Sequence, residues 1–260
     1  MTRKQSTTSQ KILFASTEAL SKHWKALHEG DREPWPNDPD LQEAWRAFHN
    51  GDFQAAIKLG SELGAHGAAV ANKAAAVQTL YSKQSATRIL QILEAAIARG
   101  EKAVAELPDH PNTHYTLALV LGRYSQRISI LKALSEGLAG KVRSHLERAL
   151  ALEPRHAEAQ VALGLYHAEI INKLGSLAAG LTYKVSAGKA IEHFRQASRL
   201  APSSPIVQLE HANGLLLLDA QRYRAEAHTL FEQAAECKPR DAMEAQDVAY
   251  AQRDLAEEKV

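Results

Sequence analysis

Twelve histidines in 260 residues raise metal binding as the first chemical possibility. Their register argues against it. His110 and His156 each stand two residues after a proline, and His145 and His193 each stand nine before one. Equivalent positions in stacked helical repeats lie on the order of 10 Å apart. Zinc needs its nitrogens at about 2 Å from one ion, so such histidines cannot share it. His110 and His114 are four apart, but Pro111 intervenes and starts a helix. No HExxH occurs, and no metal site is expected.

Other reactive types give equally little. Gly175, Gly180, Gly188 and Lys189 lack the spacing of a phosphate loop, and Ala190 stands where that loop needs Ser or Thr. These glycines are expected to break helices. Cys237, the one cysteine, occupies a slot that Leu152 and Leu200 fill in equivalent positions, which predicts a buried, inert thiol. One cysteine also excludes an intrachain disulfide and fits a reducing compartment. No nucleophile, base and orienting residue form a recognisable motif, so no catalytic residue, enzyme activity or cofactor is expected.

The elements that carry these residues repeat. Glu101 to Pro108, Ser144 to Pro154, Glu192 to Pro202 and Thr229 to Pro239 each end on a proline with a small residue five positions earlier: Ala103, Ala149, Ala197 and Ala234. The last three also place Leu146, Phe194 or Phe231 eight before the proline. Ala and Leu dominate the apolar residues and favour helix, and long alternating β-branched runs are missing. Helices are expected over Ala68 to Tyr81, Ala86 to Leu107, Asn112 to Tyr124, Ala157 to Ile171 and Ile206 to Leu218. Small residues at Ala118, Gly164 and Ala212 let first and second helices approach closely.

These positions resemble the tetratricopeptide repeat. Gly164, Ala190, Phe194, Ala197 and Pro202 match its pattern in one unit. Ala118, Leu146, Ala149 and Pro154 match in another, with Val142 departing, and Ala212, Ala227, Phe231, Ala234 and Pro239 match in a third. Asn50-Gly51-Asp52-Phe53 with Ala56 looks like a degenerate first unit. The resemblance implies an all-α, right-handed α-solenoid of helical hairpins over residues 41–260, after a leader and linker over 1–40. Trp24, Trp35 and Trp45 are expected to cap the first repeat's open end, with an exposed binding patch as the alternative.

Repeats of this type take about 34 residues. Here the prolines are 46, 48 and 37 apart. The surplus falls in Arg123 to Lys141 and Asn172 to Gly188, and is expected to lengthen the paired helices into a platform at one edge. Such enlarged repeats resemble the helical domain of the regulator of microtubule dynamics family and the T-component lipoproteins of tripartite transporters. The stretches KVRSHLERALALEPRHAEAQVALGLYHAEI and KAIEHFRQASRLAPSSP carry the likeness. The anchor cysteine of the lipoproteins has no counterpart near the start.

Formal net charge is +1, which gives no support for nucleic-acid binding. Its distribution is uneven. Arg123, Arg127, Lys132, Lys141, Arg143, Lys173, Lys184 and Lys189 make the inserts basic, whereas residues 225–260 hold nine acids and four bases. The inserts could be solvated faces, or dock an acidic partner, or touch an anionic membrane surface. If the acidic tail pairs with a neighbour's platform, a homo-oligomer results.

The concave face should present Tyr115, Leu119, Val161, Leu165, Leu209 and Asn213, with Asn112, Glu158 and Leu216 beside them. The leading expectation is a non-enzymatic scaffold that grips a protein or peptide segment in this groove, with the basic rim supplying orientation. The other is a small-ligand receptor or transporter accessory whose inserts roof a pocket. No segment approaches the roughly 20 apolar residues of a membrane span, and Ile12 to Ala15 is too short for a secretory signal core, so a cytoplasmic location is expected.

Overall fold

The computed structural model describes residues 13–81 and 84–257. The first twelve residues, including Ile12 of the short apolar stretch, and the end of the acidic tail lie outside the described residues. Among those described there are fourteen helices and no strand. Two short helices, α1 (Thr17–Ser21) and α2 (Trp24–Leu27), belong to the leader. Then come α3 (Pro39–His49), α4 (Phe53–Glu62), α5 (Ala68–Tyr81), α6 (Ala86–Glu106), α7 (Pro111–Ser125) and α8 (Ile130–Ser135). The rest are α9 (Leu138–Leu152), α10 (Ala157–Leu174), α11 (Ser176–Tyr183), α12 (Ala187–Leu200), α13 (Pro205–Glu236) and α14 (Ala242–Glu257).

The hairpins are α3–α4, α5–α6, α7–α9 and α10–α12. Helix α13 is a fifth hairpin, folded at Asp219. Asp219 leaves helical geometry at φ −167° and ψ 96°, and its Oδ1 accepts from Arg222 N at 3.0 Å to cap the second half. The chain is therefore an all-α, tetratricopeptide-like solenoid of helical hairpins with insertions in two repeats.

Repetition reaches individual bonds. The residue six after a proline bonds back to that proline's carbonyl in three units: Gln42 to Pro36, His114 to Pro108 and Gln208 to Pro202, each at 2.9 Å. This satisfies a carbonyl just ahead of the next first helix. The small positions pack as their size requires. Ala118 and Ala212 are buried. The ring of Phe194, fully buried, lies against both Gly164 and Gly214, where an added Cβ would come within 2.5 and 2.0 Å of its carbons.

The inserts differ from expectation. They do not simply prolong the paired helices. Ser129 caps the separate helix α8, Gly137 turns the chain at φ 64°, and Gly175 ends α10 at φ 77° before α11. Both glycines take the left-handed region that side chains disfavour. Each surplus thus makes a short helix between the two helices of its hairpin, α8 packing on α9 and α11 on α10.

The first helices follow one another in sequence around the molecule. Contacts run from α3 to α5, α5 to α7, α10 to α13 and α13 to α14, α7 meets α10 through the Tyr115–Glu158 bond, and α14 returns to α3. That closing contact includes Met243 packed against the N-terminal core and a 2.7 Å bond from His49 Nδ1 to Asp241 Oδ2. The leader does more than cap α3. Trp24 and Trp45 are buried, and Trp35 packs on Trp24 at 4.9 Å, so the tryptophans form core rather than an exposed patch. Residues 28–33 then run over the N-terminal ends of α7, α10 and α13.

Candidate functional site

Leader residues hold that position through polar contacts. Gly30 O accepts from Glu158 N at 3.0 Å, satisfying a donor in the first turn of α10. A Cβ on Gly30 would stand 3.1 Å from the Glu158 side chain, which would have to shift by a few tenths of an ångström to admit it. Arg32 takes φ 57°, a turn that leaves Asp31 and Glu33 on either side of it both buried. Asn112 Nδ2 donates to Asp31 O at 3.0 Å and to Glu33 Oε2 at 2.6 Å. Glu29 accepts from Ser203 near the start of α13 at 3.2 Å. Acidic residues thus gather at helix N-termini, where the backbone dipole favours them.

Beneath the leader lies a buried ionic cluster. Lys73 Nζ contacts Asp31 Oδ2 at 2.5 Å and Glu158 Oε1 at 3.0 Å, and Tyr115 donates to Glu158 Oε2 at 2.8 Å. Two carboxylates hold the Lys73 ammonium charged against its burial and push its pKa above the usual lysine range. Burial raises Glu33 to about 8, with Asp31 adding to the shift. Burial lowers His156 to about 3. Its Nδ1 accepts from Ala159 N and its Nε2 donates to Asn112 Oδ1, so the neutral ring caps α10 and braces α7. His28 donates from Nδ1 to Asp31, and its Nε2 lies 3.1 Å from His49 Nε2. The chain Asp31–His28–His49–Asp241 ties the leader, α3 and the approach to α14 together.

On the other side of this cluster the first helices line a cavity of about 610 Å³ that opens to solvent. Tyr115, Leu119, Val161, Leu165 and Asn213, five of the six groove residues read from the sequence, line it together with Leu216. The sixth, Leu209, does not. It is buried among Val161, Phe194 and Leu215, because its position on α13 turns it into the helix interface. Polar groups converge at one level: Arg123, Glu210, Tyr81 and Asp247. Arg123 donates to Glu210 at 3.1 Å, and Tyr81 donates to Asp247 Oδ1 at 2.5 Å. Side chains from the inserts, including Ile130, Leu134 and Tyr183, complete the wall at the far end.

The basic residues do not form one rim. Arg123 lies inside the cavity. Lys173 also lines it and bonds Glu169 at 3.3 Å. Arg127 donates to Thr79 O, Lys132 lies 3.8 Å from Glu136, Lys141 lies 3.9 Å from Glu101, and Arg143 contacts Glu147 at 2.7 Å. Lys184, just after α11, and Lys189, in the first turn of α12, are exposed. Most of the surplus positive charge is thus met within the chain. The tail acids are likewise used internally: Asp241 by His49, Asp247 by Tyr81, and Glu244 by Arg240.

Leucines stand out on the inserts instead. Leu131, Leu177 and Leu181 are each nearly 80% exposed (80, 79 and 78%), beside the less exposed Ile130 and Leu134. Cys237 is half-buried rather than fully buried, as are its equivalents Leu152 and Leu200, and its Sγ donates to Gln233 O at 3.2 Å. Burial still pushes the thiol pKa up. His145 faces His114 at 3.0 Å, and His193 faces Gln160 at 2.7 Å, one equivalent pair per repeat. Among the described residues no group of three or more His, Cys, Asp or Glu is arranged to hold a metal. Nor is any described helix long and apolar enough to cross a membrane.

The sequence reading missed Asp31, Glu33, Lys73, Glu210 and Asp247. One signal was present. Lys73 is the only charged residue of α5, whose other positions are largely Ala and whose faces are nearly all buried.

Fold and site together define a tetratricopeptide-type helical-repeat protein with a cavity on its concave face. A solved structure with this fold is TTC0263, a thermophilic tetratricopeptide protein of Thermus thermophilus. It is 18% identical, with a TM-score of 0.58, over 82% of this chain and 97% of that one. Residues 53–258 match the family model of regulator of microtubule dynamics protein 1-3. The chain belongs to that family. No curated protein matches it.

Proposed function

We propose that this protein is a non-enzymatic binding protein that takes an apolar ligand with a polar end into its central cavity. The observation that carries the reading is the cavity. The leader lies over the N-terminal ends of α7, α10 and α13, the inserts line the other end, and about 610 Å³ of largely apolar space lies between the helices. That volume falls in the range of small-ligand pockets, and a few polar groups among apolar walls are their usual composition. The histidine–aspartate pairs, which could suggest acid–base work, do not line the cavity. They serve the leader.

A second reading has its own support. Helical-repeat solenoids commonly bind protein segments on their concave face. The exposed Leu131, Leu177 and Leu181 offer an apolar lip where a partner's amphipathic helix could dock. The partner scaffold expected from sequence would then use the lip rather than the groove.

Leu165→Trp fills the cavity from its wall. It should abolish saturable binding of the neutral dye Nile red while the circular-dichroism melt moves little. Leu131→Ser with Leu177→Ser should leave dye binding intact. Dye binding that survives Leu165→Trp but not the lip substitutions would overturn the cavity reading in favour of the surface one.

A further inference from the structure

Asp247 is 1% exposed, yet it lines the cavity. Its Oδ1 accepts from Tyr81, and its Oδ2 has no hydrogen-bond partner among the described residues. Arg123 Nε, also on the cavity wall, is likewise buried and unpaired among them. Buried polar atoms without partners are rare and costly, and two at one level of a cavity point to a guest that supplies what they lack.

Charge indicates the guest's chemistry. Facing Asp247 are Tyr81 from α5, Glu210 from α13, Arg123 from α7, Glu158 from α10 and, ahead of its own helix, Asp241. The Arg123 cation is already taken by Glu210, and Lys73 is shared between Glu158 and Asp31. Lys173, the third cation on the cavity wall, is paired with Glu169, so each described cation lining the cavity already has a carboxylate partner. Burial among these carboxyls holds its pKa well above the usual carboxylate range, so the carboxyl keeps its proton. An arriving anion would meet an acidic surplus. An arriving cation would meet a carboxyl whose Oδ2 accepts once its proton has left.

Resting on the cavity reading above, we propose that Asp247 receives a protonated amine at the head of an apolar ligand. The ammonium donates to Oδ2, and Asp247 loses its proton to solvent through the open side of the cavity. A hydroxyl or ester oxygen near the amine would accept from Arg123 Nε. The apolar tail lies along Leu119, Leu165 and Leu216.

The test titrates the full chain with decylammonium and decanoate below their micelle concentrations, and with 1-decanol below its solubility limit, by calorimetry at pH 7. Decylammonium should bind at least about tenfold tighter than decanol, the equivalent of one charge-assisted hydrogen bond. Repeating the titration in buffers of different ionisation enthalpy should show up to about one proton released per amine bound. Asp247→Asn keeps the shape and an acceptor for Tyr81. It should erase both the amine preference and the proton release while decanol still binds. Equal or tighter binding of decanol or decanoate to the unsubstituted chain overturns the proposal and leaves the cavity reading standing, and so does an amine preference that survives in Asp247→Asn. Saturable binding of none of the three overturns the cavity reading itself, and the proposal with it. The head-group comparison needs no variant to fold.

Discussion

Lys73 and Asp31 stand 42 positions apart in sequence and meet at 2.5 Å in the interior, with Glu158 sharing the same ammonium at 3.0 Å. One cation therefore joins the leader, the second hairpin and the fourth. Each group alone would be too costly to bury, and together they fix the leader across the concave face.

Removing that cation should be severe. Lys73→Met leaves two carboxylates buried without their partner and should lower stability by about 3–5 kcal/mol in urea unfolding. Lys73→Met combined with Asp31→Asn should lose less than Lys73→Met alone, because one orphaned charge is then gone. A double variant as unstable as the sum of its singles would show that the three groups do not act as a unit.

The repeats were legible because their signals are local. Proline spacing and the Leu or Phe eight positions earlier lie within single helices, and α5 spans the predicted Ala68 to Tyr81. The groove positions followed from the same register, which is why Leu119 and Leu165 do line the cavity. What lies over the end of the groove was not legible. Asp31 meets Asn112 and Lys73 across long loops of chain, and no local pattern encodes a contact of that separation. The inserts were located by length alone. Their conversion into separate helices depends on left-handed turns at Gly137 and Gly175, which spacing does not specify.

Acid should loosen the same cluster in a defined direction. His156 has a folded pKa of about 3, held down by burial, against an ordinary value of 6.5. Its neutral form is the native one, so its contribution is present above pH 6.5 and is lost as pH falls from 6.5 toward 3. The slope is at most about 1.4 kcal/mol per pH unit for one proton. Glu33 acts oppositely. Raised to about 8 by burial, it keeps its proton in the folded chain while the unfolded chain ionises, so stability declines as pH rises from 4.5 to 8. Urea midpoints measured across pH 4 to 8 check both. His156→Asn, which can still cap α10, should flatten the acidic side, and Glu33→Gln should flatten the decline toward pH 8. Unchanged profiles in both variants would show that neither group titrates with folding.

The spacing of α10 and α13 sets how far apart Leu165 and Leu216 stand, and Phe194 sets that spacing. Its ring rests on Gly164 and Gly214, with no room for a Cβ at either. Gly214→Ala gains about 1 kcal/mol of helix propensity, yet it must drive α13 outward or force the ring from its rotamer. The overpacking term of about 1–3 kcal/mol should prevail, so the variant should unfold at lower urea despite its better helix former. Phe194→Leu removes the ring atoms that the new methyl meets. Added to Gly214→Ala, it should cost less than it does in the unsubstituted chain, giving a favourable coupling energy in a double-mutant cycle. Nile red affinity supplies the functional readout, because a wall pushed outward changes the cavity's width. Gly214→Ala should weaken dye binding, and the double variant should restore part of it. Additive stabilities together with unaltered dye affinity would mean that the Phe194 contact governs neither the packing of these helices nor the shape of the site.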